Sequence, residues 1–163
     1  MGTPLLRLTR RVGLLATAGA LAALTAHAVE LPNKLLLDGP LWLAVQQHLY
    51  RGWGAAFGPC EIAAVVSAWV LVYLMRAHRP VFGLTLLTAL LLTGALAAFF
   101  VLVAPVNAAF AHWRPTTLPA DWSAYRLRWE LGHALGFALV LGALVAQLRA
   151  LFLDACLRLR HAG

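Results

Sequence analysis

Two histidine–carboxylate pairs stand out in an otherwise apolar chain. His27 precedes Glu30 by three positions, and Glu130 precedes His133 by the same spacing. In a helix this spacing places the two side chains of a pair on one face, about 4.5 Å apart along the axis. Imidazole and carboxylate groups accept and donate protons, and both bind first-row metals. The pairs therefore predict either acid–base or metal chemistry.

Two further polar residues, Glu61 and Asn107, adjoin apolar segments. Ionisable groups at membrane depth are energetically expensive, so they are candidates for function. Each also has a purely structural explanation. Glu61 and Glu130 can complement a helix dipole, Asn107 can cap a helix end, and each histidine can be satisfied within a core. The matched depth of His27 and His133 on antiparallel helices favours one shared pocket.

Such a pocket could work in three ways. Two imidazoles on facing helices could ligate a haem, and histidines with carboxylates could hold iron or another first-row metal. The same groups could instead use no cofactor and act as a general base and hydrogen-bond donors toward an acidic lipophilic substrate. The candidate metal ligands are Glu30, Glu61, Glu130, His27 and His133.

Apolar helices must position these residues. The chain has 163 residues, of which 62% are hydrophobic and only 12% are charged, whereas soluble domains have about 25% charged residues. The stretches 12–29, 55–75, 81–103 and 129–153 each have the roughly 20 residues that cross a bilayer. The sequence thus predicts an all-α, integral membrane four-helix bundle that forms a single domain over residues 1–163.

The first apolar stretch has a second interpretation. An arginine-rich start, an apolar run and Ala26-His27-Ala28 are also typical of a secretory signal peptide with a small-x-small cleavage site. Cleavage after residue 28 would leave three spans. We expect the segment to be retained as the first span.

The net charge of +7 is distributed unevenly. The basic residues of one predicted face are Arg7, Arg10, Arg11, Arg76, Arg79, Arg149, Arg158 and Arg160. On the other face, acidic residues balance the basic ones. The positive-inside rule assigns the basic face to the cytoplasm, with both termini inside, in the cytoplasmic (inner) membrane of a bacterium. The excess charge then marks topology and contacts membrane lipid, and nucleic-acid binding is not needed to explain it.

The first outer connection contains a helix start at Pro40. After it, Trp42, Val45 and Leu49 recur at helical spacing, and Gln46 lies on the opposite face. The pattern predicts a short amphipathic interfacial helix at the outer surface of the membrane.

Most tryptophans fall on the predicted outer side of the membrane. An aromatic belt at the interface explains them. The alternative is an aromatic lid or pocket above the bundle, in which Trp53, Trp122 and Trp129 would bind the substrate.

Several motifs together resemble a known family. They are Leu31-Pro32-Asn33-Lys34, Gln46-Gln47, Tyr50-Arg51-Gly52-Trp53, Glu61, Pro105-Val106-Asn107, Trp113, Trp122 and Arg128-Trp129-Glu130 through His133. This set resembles the anthrone oxygenase-like family of small four-span membrane proteins, in a bacterial branch. The resemblance implies oxidation of polycyclic anthrones to anthraquinones by molecular oxygen, with Asn107, Trp129 and His133 as pocket residues.

We therefore predict a membrane oxidoreductase of the oxygenase type, acting on a lipophilic aromatic or quinone-like substrate in an outer-leaflet pocket. His133, His27 and Asn107 are the catalytic candidates. The alternative is a non-catalytic haem-binding, quinone-binding or structural subunit of a larger membrane complex. The cofactor (haem, iron or none) and the formation of a homo-oligomer stay open. Many transporters show repeat symmetry, and its absence here disfavours a transporter.

Overall fold

The computed structural model describes residues 3–160, and within that range the chain is helical with no strand. Four segments in the described range are long and apolar enough to cross a membrane: Pro4–Lys34, Trp53–Met75, Arg79–Phe110 and Trp122–Arg160. They indicate a multi-pass membrane protein. The prediction of an all-α chain with membrane-length helices is thereby confirmed.

The long segments are built from five helices. Helix α1 is Pro4–Lys34, α3 is Trp53–Met75, and α6 is Trp122–Arg160. The third segment comprises α4 (Arg79–Ala98), a π-helical turn (Phe99–Val103) and α5 (Ala104–Phe110). Helix α2 (Gly39–Ala44) and a second π-helical turn (Val45–Leu49) follow α1.

Helix α1 begins earlier than the predicted span because its start is capped. Thr3 Oγ1 accepts a hydrogen bond from the Leu6 N–H at 3.2 Å, and Pro4 occupies the first helical turn, where its missing N–H is not needed. The helix also runs past residue 29 to Lys34, through Pro32. A hydropathy pattern marks only the apolar middle of such a helix.

The long helices pack through small side chains. Helix α4 packs along α6, and α1 packs along both α3 and α6. The buried contacts include Ala20, Ala64, Ala68, Ala89 and Ala143. Small residues allow close approach of helix backbones, which is how helices associate in lipid.

The helix after Pro40 exists, but its predicted faces are partly wrong. Trp42 and Gln46 are buried, whereas Leu49 is 59% exposed. Gln46 follows Trp42 by four residues, so the two share one helix face. The π-helical turn that begins at Val45 winds more widely and takes Leu49 out of the α-helical register. A position of this helix at the membrane surface stays a prediction.

At the end of the bundle where α6 finishes, Asp154 is buried among three cationic or titratable groups. Its carboxylate lies 2.7 Å from Arg10 Nη1, 3.0 Å from Arg158 Nη2 and 3.3 Å from His78 Nε2. This cluster ties α1 to α6 at the end opposite the candidate site.

Candidate functional site

A cavity of about 960 Å³ lies where α1 ends and α6 begins. Its walls are mostly apolar and come from α1, α3, α4, α5, α6 and both π-helical turns. The volume is near the upper end of the range for small-molecule sites, and such turns occur often at functional sites. The cavity is therefore large enough for a polycyclic ligand.

Most of the predicted site residues line this cavity. They are His27, Trp53, Glu61, Asn107, Trp129 and His133. The structure does not bring Glu30, Glu130 or Trp122 to the cavity wall. The ring of Trp122 instead packs 6.4 Å from that of Trp42, centroid to centroid.

The two predicted histidines contact each other. The ring centroids of His27 and His133 are 4.2 Å apart, with 53° between the planes. Both residues are buried, and the His133 ring also lies 4.0 Å from that of Trp129. The expectation that these imidazoles share one pocket agrees with this arrangement.

The hydrogen bonds of the two imidazoles assign them opposite tautomers. His133 Nδ1 lies 3.0 Å from the Trp129 carbonyl oxygen, which can only accept, so Nδ1 carries the proton and Nε2 is the acceptor. His27 Nδ1 lies 3.4 Å from Lys34 Nζ, and an ammonium group can only donate. In neutral His27 the proton is therefore on Nε2.

Lys34 forms a buried ion pair behind the imidazoles. Its Nζ lies 3.0 Å from Glu130 Oε2 and 3.9 Å from Glu30 Oε2. Lys34 is 4% exposed and Glu130 is 1% exposed, so this pair is removed from solvent. Trp42 Nε1 also donates to Glu130 Oε1, at 3.4 Å. Glu130 thus joins α1, α2 and α6 and does not face the cavity.

Tyr50 holds the second carboxylate of the cluster. Its hydroxyl donates to Glu30 Oε2, and its ring lies 4.6 Å from that of His27. Burial, followed by the hydrogen bond to Glu30, raises the pKa of Tyr50 above its ordinary value. The phenol therefore stays protonated and remains a donor.

Asn107 forms a hydrogen bond with the indole of Trp129. Its Oδ1 accepts from the indole Nε1 at 2.8 Å. Because the indole also packs against His133, Asn107 fixes the plane on which this imidazole rests. Both residues were predicted as pocket residues, and their direct contact was not.

The candidate metal ligands are divided between the cavity wall and the ion pairs of Lys34 behind it. Within residues 3–160, no three His, Cys, Asp or Glu side chains are grouped as a metal site would require. A metal role for the five carboxylates and histidines therefore stays a prediction.

A haem between His27 and His133 does not fit the ring positions. Axial nitrogens stand about 2 Å from a metal on opposite sides, which puts them about 4 Å apart and their ring centroids farther still. The observed centroid distance of 4.2 Å leaves no room for a porphyrin between the rings.

Comparisons with family models, curated proteins and solved structures gave no match. The resemblance to the anthrone oxygenase-like family accordingly stays a prediction.

Sequence reasoning missed two residues of this site. Lys34 appeared only as part of the motif Leu31-Pro32-Asn33-Lys34, although its spacing of seven from His27 places both on one helix face. Gln46 was assigned to the polar face of an amphipathic helix, although its spacing of four from Trp42 places the two on one helix face, and both are buried.

Proposed function

We propose that this protein is a membrane oxidoreductase that uses molecular oxygen to oxidise a lipophilic aromatic substrate with an acidic C–H bond. One observation carries the proposal: two imidazoles with opposite tautomers meet in a large apolar cavity. One ring nitrogen can accept a proton while the other can donate a hydrogen bond, and neutral acid–base chemistry needs both.

His133 is the proposed base. Its Nε2 accepts the proton when the substrate C–H bond breaks, and its Nδ1–H remains bonded to the Trp129 carbonyl. His27 is the proposed donor: its Nε2–H would stabilise the oxygen on which the resulting negative charge is delocalised. The walls are mostly apolar, and the low local dielectric strengthens both interactions.

Oxygen then supplies the oxidising power, and the atoms balance without a further reductant. The carbanion transfers electrons to O₂, a C–O bond forms, and the abstracted proton returns to give a hydroperoxide. Loss of the second C–H proton with cleavage of the O–O bond releases water and leaves a carbonyl. The sum is R₂CH₂ + O₂ → R₂C=O + H₂O, a methylene converted to a ketone or quinone.

Topology belongs to the same proposal. The excess of basic residues on one face supports cytoplasmic termini in a bacterial inner membrane. In that orientation the cavity lies in the outer leaflet, at the end of the bundle away from Asp154. A lipophilic substrate would reach it from the bilayer.

The experiment measures oxygen uptake by the purified protein in lipid nanodiscs with anthrone, an aromatic ketone with an acidic methylene group. We expect one molecule of dissolved O₂ to be consumed for each carbonyl group formed. His133→Gln should lower kcat by roughly 10²–10⁴-fold, the usual contribution of a general base. His112→Gln, a change at an exposed histidine outside the cavity lining, is the matched control and should leave the rate unchanged.

Equal oxygen uptake by the wild type and His133→Gln would refute the proposal. Tight binding of anthrone without oxygen uptake would also refute it and would favour a lipophile-binding subunit of a membrane complex.

A further inference from the structure

Gln46 is a buried amide that the fold does not use. The residue is 3% exposed, and neither Oε1 nor Nε2 has a hydrogen-bond partner within the described part of the chain. It lies in the π-helical turn Val45–Leu49 and lines the large cavity. Buried polar groups are nearly always paired, because leaving one unpaired destabilises the folded state. The amide is thus left unpaired in a residue that lines the cavity.

Its neighbour Gln47 shows the contrast. Gln47 Nε2 donates to the carbonyl oxygens of Phe110 and Trp113, at 2.9 and 3.1 Å. That amide holds the first outer connection against the second and is a structural group. The two adjacent glutamines therefore differ in use, and of the two only Gln46 has both of its polar atoms unpaired within the described residues.

We propose that Gln46 recognises a hydroxyl group on the aromatic ligand of the cavity. The ligand hydroxyl donates to Oε1, while Nε2 donates to the same oxygen or to a neighbouring oxygen on the ring. A phenol or hydroquinone meets this requirement because its hydroxyl both donates and accepts. A hydrocarbon pairs with neither amide atom, and an aryl ether lacks the donor. The inference rests on the proposed function, since it names the class of substrate for the same cavity.

A recognition role and a structural role predict opposite effects on stability. Because the amide makes no hydrogen bond to any of residues 3–160, an apolar side chain of similar length should be tolerated or should raise the melting temperature. Gain of stability with loss of binding is typical of a residue kept for function. A residue used by the fold would show loss of both.

The test is equilibrium dialysis of the full chain in detergent against two probes, 2-naphthol and its methyl ether 2-methoxynaphthalene. The variants are Gln46→Met and the matched control Gln147→Met. Gln147 is also buried, and its Oε1 is unpaired among the described residues, but it lines a separate, smaller pocket near Arg10. Comparing each probe between wild type and variant cancels the partition of the probes into detergent.

We expect Gln46→Met to reduce the preference for naphthol over its ether by about tenfold, because the naphthol hydroxyl then loses its hydrogen-bond acceptor in the cavity. Gln147→Met should keep the wild-type preference. The melting temperature of Gln46→Met should equal or exceed that of the wild type. If Gln46→Met does not fold or melts lower, the amide serves the fold and the inference is wrong.

The two proposals fail in different ways. If both probes bind the wild type and Gln46→Met leaves their affinity ratio unchanged, the recognition role is wrong and the cavity remains an aromatic site. If neither probe binds the wild type, the cavity is not an aromatic site, and both proposals fall.

Discussion

Lys34 Nζ lies 3.0 Å from Glu130 Oε2, and this buried ion pair joins the last turn of α1 to the first turns of α6. The same ammonium faces His27 Nδ1 at 3.4 Å and lies 4.7 Å from the centroid of the Trp129 ring. One side chain thus fixes both the packing of two helices and the tautomer of an imidazole in the cavity.

Loss of Lys34 should therefore be severe. Lys34→Met leaves the Glu130 carboxylate buried without its cation, and breaking such a pair costs about 3–5 kcal/mol of stability. Thermal unfolding in detergent should show a large fall in melting temperature. Adding Glu130→Gln, which removes the orphaned charge, should recover most of the loss. A double variant as unstable as Lys34→Met alone would mean that the pair does not support the fold.

Gly132 should not tolerate a side chain. A Cβ there would lie 2.7 Å from Val103 Cγ2 and 3.0 Å from Leu102 Cβ, inside the π-helical turn that lines the cavity. Gly132→Ala should cost about 1–3 kcal/mol, as overpacked cores do. Gly94→Ala is the control, because its Cβ would meet only Leu139 Cδ1, at 3.8 Å. Equal melting temperatures for the two variants would contradict the close packing of α6 on this turn.

Trp129 and Asn107 should be energetically coupled. Trp129→Phe removes the indole donor and Asn107→Leu removes its acceptor, so the double variant should be less destabilised than the sum of the two single changes. A hydrogen bond of this kind corresponds to a coupling of about 1 kcal/mol. Melting curves of the wild type and the three variants give the value. Strict additivity would show that the 2.8 Å contact contributes nothing.

Tyr50 should make the protein sensitive to alkali. Burial raises the pKa of its phenol, so the folded state holds this proton more tightly than the unfolded state does. The associated stability is complete below the ordinary tyrosine pKa of about 10 and is lost as the pH rises through the folded-state value. Above about pH 10, the melting temperature of Tyr50→Phe should fall less steeply than that of the wild type.

Tyr73→Phe provides the comparison, because the Tyr73 side chain is exposed and lies on α3 away from the cavity. It should keep the alkaline slope of the wild type. Identical slopes for the wild type and Tyr50→Phe would show that the phenol near Glu30 does not titrate with unfolding.

The sequence was sufficient to predict the membrane-length helices and the shared depth of His27 and His133. Hydropathy alone marks four membrane-length helices, and helical spacing with antiparallel order places His27 and His133 at one depth. Both inferences depend on periodicity and chain direction, which a sequence carries. They do not require knowledge of how each helix is rotated about its axis.

The remaining features depend on rotation and on local winding. Helix α6 is rotated about its axis so that His133 and Trp129 face the cavity. Because of this rotation, Glu130 points toward Lys34 and away from the cavity, and Trp122 packs on Trp42. A π-helical turn has no simple residue code, so the exposure of Leu49 could not be predicted.

The central claim is that His133 removes a proton from carbon, and deuterium exchange tests it without oxygen. Anthrone is incubated anaerobically in D₂O with the protein in nanodiscs, and deuterium uptake at the methylene carbon is followed by mass spectrometry. We expect the wild type to accelerate exchange well above the rate with empty nanodiscs, and His133→Gln to return it to that rate while His112→Gln does not. Exchange that is equally fast with His133→Gln and the wild type would show that His133 is not the base.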